Sequence, residues 1–81
     1  MPAYKYEYNI CNEFDSKIFR KQCAALESNI PKLEKKSFQE DVDGSEYQFY
    51  SLDGQEVVVK NSFYIGAVYI QSNVDLTAYF N

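Results

Sequence analysis

Apolar and polar residues alternate from Ala3 to Ile10. Tyr4, Tyr6, Tyr8 and Ile10 fall on one side of an extended chain, and Lys5, Glu7 and Asn9 on the other. A period of two marks a half-buried strand, because successive side chains point to opposite faces. The period then changes. Between Asn12 and Asn29 the apolar positions recur at helical spacing: Phe14, Ile18 and Ala25 form one edge of an apolar stripe, Phe19, Cys23, Leu26 and Ile30 the other, and Lys17, Arg20, Lys21 and Glu27 lie opposite. That is an amphipathic helix laid on something apolar. Asn12 or Asp15 can cap its start, and Pro31 stops it. The stretch PKLEKKS reads as a polar connector, with one more helical turn from Pro31 as the alternative.

Period two returns after Ser37. Ser37 to Val42 alternates weakly, is charged, and suits an edge strand. Asp43-Gly44 marks a turn, Glu46 to Leu52 a strand, and Asp53-Gly54 a tight hairpin, since a type I′ turn needs positive φ at both central residues. Val57-Val58-Val59 marks a central strand covered on both faces. Asn61-Ser62 reads as the next turn and Phe63 to Gln71 as the last long strand, with Gly66 as a bulge or close approach inside it. Ser72 or Asn73 opens a short terminal helix, with a last extended segment as the alternative; Leu76, Tyr79 and Phe80 must pack in either case. The expected architecture is α+β: a single two-layer domain over residues 1–81, one amphipathic helix packed on an antiparallel sheet of four to five strands.

Composition sharpens this outline. Eight Tyr and six Phe give a short chain much apolar area per residue, and 46% apolar content with few Pro and Gly excludes a disordered chain. No run approaches the roughly 20 apolar residues of a membrane span, and no signal-peptide core precedes the first strand. Cys11 and Cys23 read as small buried apolar groups, reduced in a cytoplasmic chain.

Charge is uneven along the chain. Residues 1–36 hold seven bases and five acids, net +2, whereas residues 37–81 hold seven acids and only Lys60 as a base, net −6. An acidic surface repels nucleic acid and membranes and steers toward basic protein surfaces. Histidine is absent, which removes the commonest general base and zinc ligand. Asp41-Val42-Asp43-Gly44 resembles part of a calcium loop, but that alignment places Gln39 and Tyr50 where the first and last carboxylates are required. No catalytic residue, metal site or cofactor is expected.

Binding is the reading that remains. Asp41, Asp43, Glu46, Tyr47, Tyr50, Asp53 and Glu56 are the expected partner contacts, carboxylates and phenols on one β surface facing a basic protein. In size, acidity, lack of histidine and helix-plus-sheet outline the chain resembles the small proteins with which phages and other mobile elements block host defence enzymes, anti-CRISPR proteins among them. The resemblance implies a non-enzymatic inhibitor, in the host cytoplasm, that covers a nucleic-acid-binding surface by mimicking the nucleic acid. The alternative is a structural or accessory subunit that acts as a homodimer.

Overall fold

Asp53 and Gly54 both adopt positive φ, at 53° and 80°, the type I′ geometry that an aspartate-glycine pair favours. They join the strands Glu46–Leu52 and Gln55–Ser62, whose register runs from Glu46 opposite Asn61 to Leu52 opposite Gln55. The rest of the sheet is assembled around this hairpin. In a computed structural model that describes residues 4–80, the elements are β1 (Tyr6–Cys11), α1 (Ser16–Asn29), β2 (Glu34–Glu40), β3 (Glu46–Leu52), β4 (Gln55–Ser62), β5 (Ala67–Ser72) and a 3-10 turn at Thr77–Tyr79. The strand order is β1-β5-β4-β3-β2, every neighbouring pair antiparallel, so the valine strand β4 is the central one. The fold is α+β: one helix packed on a five-stranded antiparallel sheet in a single compact domain with a radius of gyration of 11.8 Å.

α1 starts where a short polar side chain satisfies its free amides. Asp15 is extended (φ −151°), and its Oδ1 accepts from the N–H groups of Lys17 and Ile18 at 2.9 and 3.1 Å. The helix ends at Asn29, with Ile30 N–H on the Leu26 carbonyl at 3.0 Å and Pro31 next in line. Its buried stripe, Phe19, Cys23, Leu26 and then Ile30, meets Tyr50, Leu52, Val57, Val59, Val68 and Ile70 of the sheet. The helix lies over β4 and links β1 at one edge to β2 at the other. The opposite face is not bare. Across it the register sets Asn9, Tyr69, Lys60, Tyr47 and Gln39 in one row, and the rings of Tyr4 and Tyr47 lie 5.7 and 5.9 Å from the Lys60 ammonium. These long side chains help to bury Val58 completely (0% exposed) without a second helix.

The terminal segment is helical only over the single 3-10 turn Thr77–Tyr79, so it starts later than the expected Ser72 or Asn73, and Ser72 ends β5. Asp75 Oδ1 accepts from the Thr77 amide and hydroxyl at 2.9 and 2.6 Å, and Leu76 is fully buried. The Tyr8 hydroxyl donates to Asp75 and accepts from the Leu76 amide at 2.8 Å, and the Phe80 ring packs on Tyr8 at 4.9 Å. The Thr77 hydrogen bonds hold the Asp75 carboxyl below its usual range. A lowered carboxyl contributes stability above its unfolded pKa and loses it as the pH falls through the folded value, so this attachment loosens in acid.

Several boundaries differ from those the pattern suggests. Asn61 and Ser62 form no turn; they end β4 and are buried, and the turn is 63–66, so β5 begins at Ala67 rather than Phe63. Gly66 is not inside a strand but closes that turn. β2 begins at Glu34, so Lys35 and Lys36 belong to the strand rather than to a connector, and Val42 lies beyond it in the turn. A chain bend at Lys5 separates Tyr4 from Tyr6 and Tyr8: Tyr4 lies with Glu56 and Lys60 on the face away from the helix. The strand start at Ala3 lies outside the described residues. Cys11 and Cys23 are unbonded, Cys23 being buried and Cys11 half-buried.

Candidate protein-binding surface

Three connections meet at one end of the sheet: residues 12–15 between β1 and α1, 41–45 between β2 and β3, and 63–66 between β4 and β5. Side chains and backbone lock them together. Asn61, fully buried at the end of β4, accepts from the Asp15 amide at 3.0 Å through Oδ1 and donates to Glu46 Oε1 at 3.0 Å through Nδ2. The Ser16 hydroxyl donates to the same Glu46 oxygen at 2.9 Å. The Phe63 amide donates to Ser45 Oγ at 2.9 Å, and the Ser45 amide to Asp43 Oδ1 at 2.9 Å. A buried amide with both ends used holds geometry well, since either end left unpaired is costly.

The turn itself is one closed loop of backbone. The Gly66 amide reaches the Ser62 carbonyl at 2.8 Å, the Ile65 amide reaches Ser62 Oγ at 3.1 Å, and Gly66 takes φ 74°. A glycine in the left-handed region ends such a turn without the clash a Cβ would bring. Phe63, Tyr64 and Ile65 thereby project consecutively into solvent, 59%, 92% and 62% exposed. Phe14 stacks edge-on against Phe63 at 5.4 Å, and Val42 is fully exposed on the neighbouring turn. Around this apolar tip stand the exposed carboxylates Glu13, Glu40, Asp41 and Asp43. A contiguous apolar patch rimmed by polar groups is the usual mark of an interaction surface.

The residues expected from the sequence to form one acidic face are dispersed. Asp41 and Asp43 belong to this loop end, and the Tyr47 hydroxyl, half-buried on the face away from the helix, donates to Asp41 at 3.0 Å. Burial and that hydrogen bond push the Tyr47 phenol up. Glu46 turns toward the helix and serves the Asn61 and Ser16 bonds above. Tyr50 is in the core, 1% exposed, with its hydroxyl on Glu27 at 2.7 Å; burial and Glu27 raise it far above a free phenol, and it presents nothing to a partner. Asp53 and Glu56 lie at the other end of the sheet, about 20 Å along the strands from Asp41 at the usual rise per residue. So the seven positions form no single anionic side. The signal that points to the loop end is the run Phe63-Tyr64-Ile65 followed at once by Gly66, and it is indistinguishable from a strand until Asn61 is known to be buried.

Other concave features carry less chemistry. A hollow of about 350 Å³ opens beside Phe49, Ser51 and Glu56, and another of about 330 Å³ lies between α1 and β2 over Phe19, Cys23 and Phe38. Burial pushes the Cys23 thiol up, away from thiolate reactivity. Among the described residues no group of His, Cys, Asp and Glu is placed to hold a metal ion.

On the outer face, burial together with the Glu56 carboxylate raises the Tyr4 phenol to about 12. A raised phenol contributes stability that is fully present below its unfolded pKa and is lost as the pH climbs through the folded value, a window of 10 to 12. Ultraviolet titration should show several late phenols, Tyr47, Tyr50 and Tyr69 among them; Tyr4→Phe should remove one late ionisation, near 12, and Glu56→Gln should move that one down, whereas a Glu56→Gln curve identical to wild type would show that Glu56 leaves this phenol untouched.

The chain matches no protein-family model, no curated protein and no solved structure.

Proposed function

We propose that this protein is a non-enzymatic binding module whose loop end docks on another protein and inhibits it by covering its surface. The observation that carries this reading is the tip Phe63-Tyr64-Ile65, held out by three backbone amides that donate to the Ser62 carbonyl and to the Ser45 and Ser62 hydroxyls, although exposure of such side chains contributes nothing to the fold. Large aromatic and aliphatic anchors near the centre of an interface, with charge at its rim, are where binding energy concentrates. The rim here is Glu13, Glu40, Asp41 and Asp43, so the complementary surface is an apolar pocket bordered by Lys or Arg.

The mouth of a nucleic-acid channel fits that description. An inhibitor carried by a phage or mobile element against a host defence enzyme, of the anti-CRISPR kind, would act by plugging it. Plugging suits this protein better than tracing a phosphate backbone, because the carboxylates are divided between the two ends of the sheet instead of running in a row along it, and Glu13, Glu40, Asp41 and Asp43 stand at the loop end with the tip. The reading is tested by affinity capture from a host lysate with wild type, Tyr64→Asp and Glu56→Lys. Wild type and Glu56→Lys should retain the same protein and Tyr64→Asp should lose it. Equal retention by all three, or loss only with Glu56→Lys, would dismiss the loop end as the contact.

A further inference from the structure

β2 carries one residue too many for its pairing with β3. Lys35 lies opposite Tyr50 and Phe38 opposite Gln48, and the register shifts between them. In a regular strand, residues three apart point to opposite faces. The bulge removes that alternation. Tyr50 and Gln48 lie opposite Val57 and Val59 on the helix side of the sheet, so Lys35 and Phe38 both face the helix. Gln48, 6% exposed, holds the bulge in place. Its Nε2 donates to the carbonyls of Lys36 and Ser37, both at 3.2 Å, and of Phe49 at 3.1 Å. Bulges are common beside binding sites because they re-aim a side chain.

The side chain re-aimed here is a wall of the 330 Å³ hollow between α1 and β2. Phe38 stands against Phe19 with ring centroids 6.3 Å apart, and Cys23 and Ala24 complete the apolar lining. The polar groups of the hollow are unequally committed. Glu27 accepts from the Tyr50 hydroxyl at 2.7 Å and pairs with Lys35 at 3.3 Å, so each offsets the other's charge. Arg20, exposed at the mouth, has no carboxylate partner among the described residues. The three carbonyls on Nε2 fix the Gln48 amide, and its Oε1 accepts no hydrogen bond from the described residues and is not sealed from solvent.

We propose that this hollow binds a small aromatic acid with a hydroxyl or N–H donor at the end away from its carboxylate. The ring lies against Phe38 and the Phe19–Ala24 turn of α1, the donor meets Gln48 Oε1, and the carboxylate meets Arg20. The volume sits at the small end of ligand sites, which run about 300–1,000 Å³, so it suits a single ring. Arg20 selects the sign of the ligand, since a guanidinium and a carboxylate form charge-assisted and often paired hydrogen bonds. Gln48 selects the donor, because a ligand without one leaves a desolvated acceptor behind. The site shares no residue with the loop-end tip, and it stands or falls apart from the docking reading.

Amide NMR titration of the isotope-labelled protein with para-hydroxyphenylacetate, phenylacetate and para-cresol, into the millimolar range, tests the site. The first probe should give saturable shifts centred on 19–27 of α1 and 35–38 of β2. Phenylacetate lacks the donor and para-cresol the charge, and each should bind about tenfold more weakly. Arg20→Gln should weaken para-hydroxyphenylacetate about tenfold and leave para-cresol unchanged, whereas Phe38→Ser should weaken both. Both side chains are exposed, so the unliganded spectra should keep the wild-type dispersion. Absence of saturable shifts with the first probe overturns the proposal. So do shifts centred on 63–66 or beside Phe49 and Glu56, and so does an Arg20→Gln variant that binds as wild type does or loses both probes equally.

Discussion

Replacing Asn61 with leucine is expected to lower the unfolding free energy by about 3 kcal/mol, although the two side chains are similar in size. The loss comes from polar groups left behind. Asn61 is 0% exposed, its Oδ1 is the acceptor for the Asp15 amide at the helix start, and its Nδ2 is one of two donors to Glu46 Oε1. Leucine leaves that amide without its acceptor and the half-buried carboxylate with only Ser16. An unsatisfied buried amide costs about 1–3 kcal/mol and a charged acceptor more. For a chain of this length total stability is about 4–12 kcal/mol, so the variant should sit near its folding limit and melt roughly 12–24 °C lower. Ser16→Ala, which removes the other donor and leaves Asn61 in place, should cost only about 1 kcal/mol. Denaturant and thermal melts on the two variants check both numbers. A cost for Asn61→Leu no greater than for Ser16→Ala would mean that the loop end does not depend on this amide.

Truncating Tyr64 to alanine should have the opposite profile. The side chain is 92% exposed, so stability should stay within about 0.5 kcal/mol of wild type. Affinity for the partner should fall about 30-fold or more, the 2 kcal/mol and upward that a central aromatic anchor contributes. Charge acts differently at the rim. Asp41→Asn with Asp43→Asn keeps acceptors for the Tyr47 hydroxyl and the Ser45 amide while removing two charges. That pair should slow association and flatten its salt dependence, with dissociation little changed. Surface plasmon resonance on the captured partner at two ionic strengths separates the effects. If Tyr64→Ala binds as wild type does, the exposed tip has some other use and the proposed mode of inhibition goes with it.

Both results turn on features that differ in how far they could be read along the chain. Local signals were legible because they act within a few residues. Asp53-Gly54 demands positive φ whatever surrounds it, Asp15 caps two amides two and three residues on, and Pro31 has no N–H to continue a helix. The seam of α1 followed from its period, and the three valines implied a central strand because only such a strand has apolar cover on both faces. The candidate surface was less legible. Asn61-Ser62 looks like a turn by composition, yet β4 continues through it, since the Asp15 amide and Glu46, 46 and 15 residues away, satisfy a buried amide there.

The alternation, the helix period, the turn chemistry and the net charge of each half are properties of neighbouring residues, and from them the sequence by itself determined the elements, their order and the two-layer α+β build. Which side chains share a surface was decided only by the tertiary structure. Strand pairing carries Asp41 and Asp53, twelve residues apart, to opposite ends of the sheet, turns the Tyr50 side of β3 rather than the Tyr47 side toward the helix, and brings Phe14, Val42 and Tyr64 to one end. The physical reason is that a side chain's face follows from local period, whereas the end of the sheet at which it lies depends on where each strand stops, and long-range hydrogen bonds such as those of Asn61 set that stop.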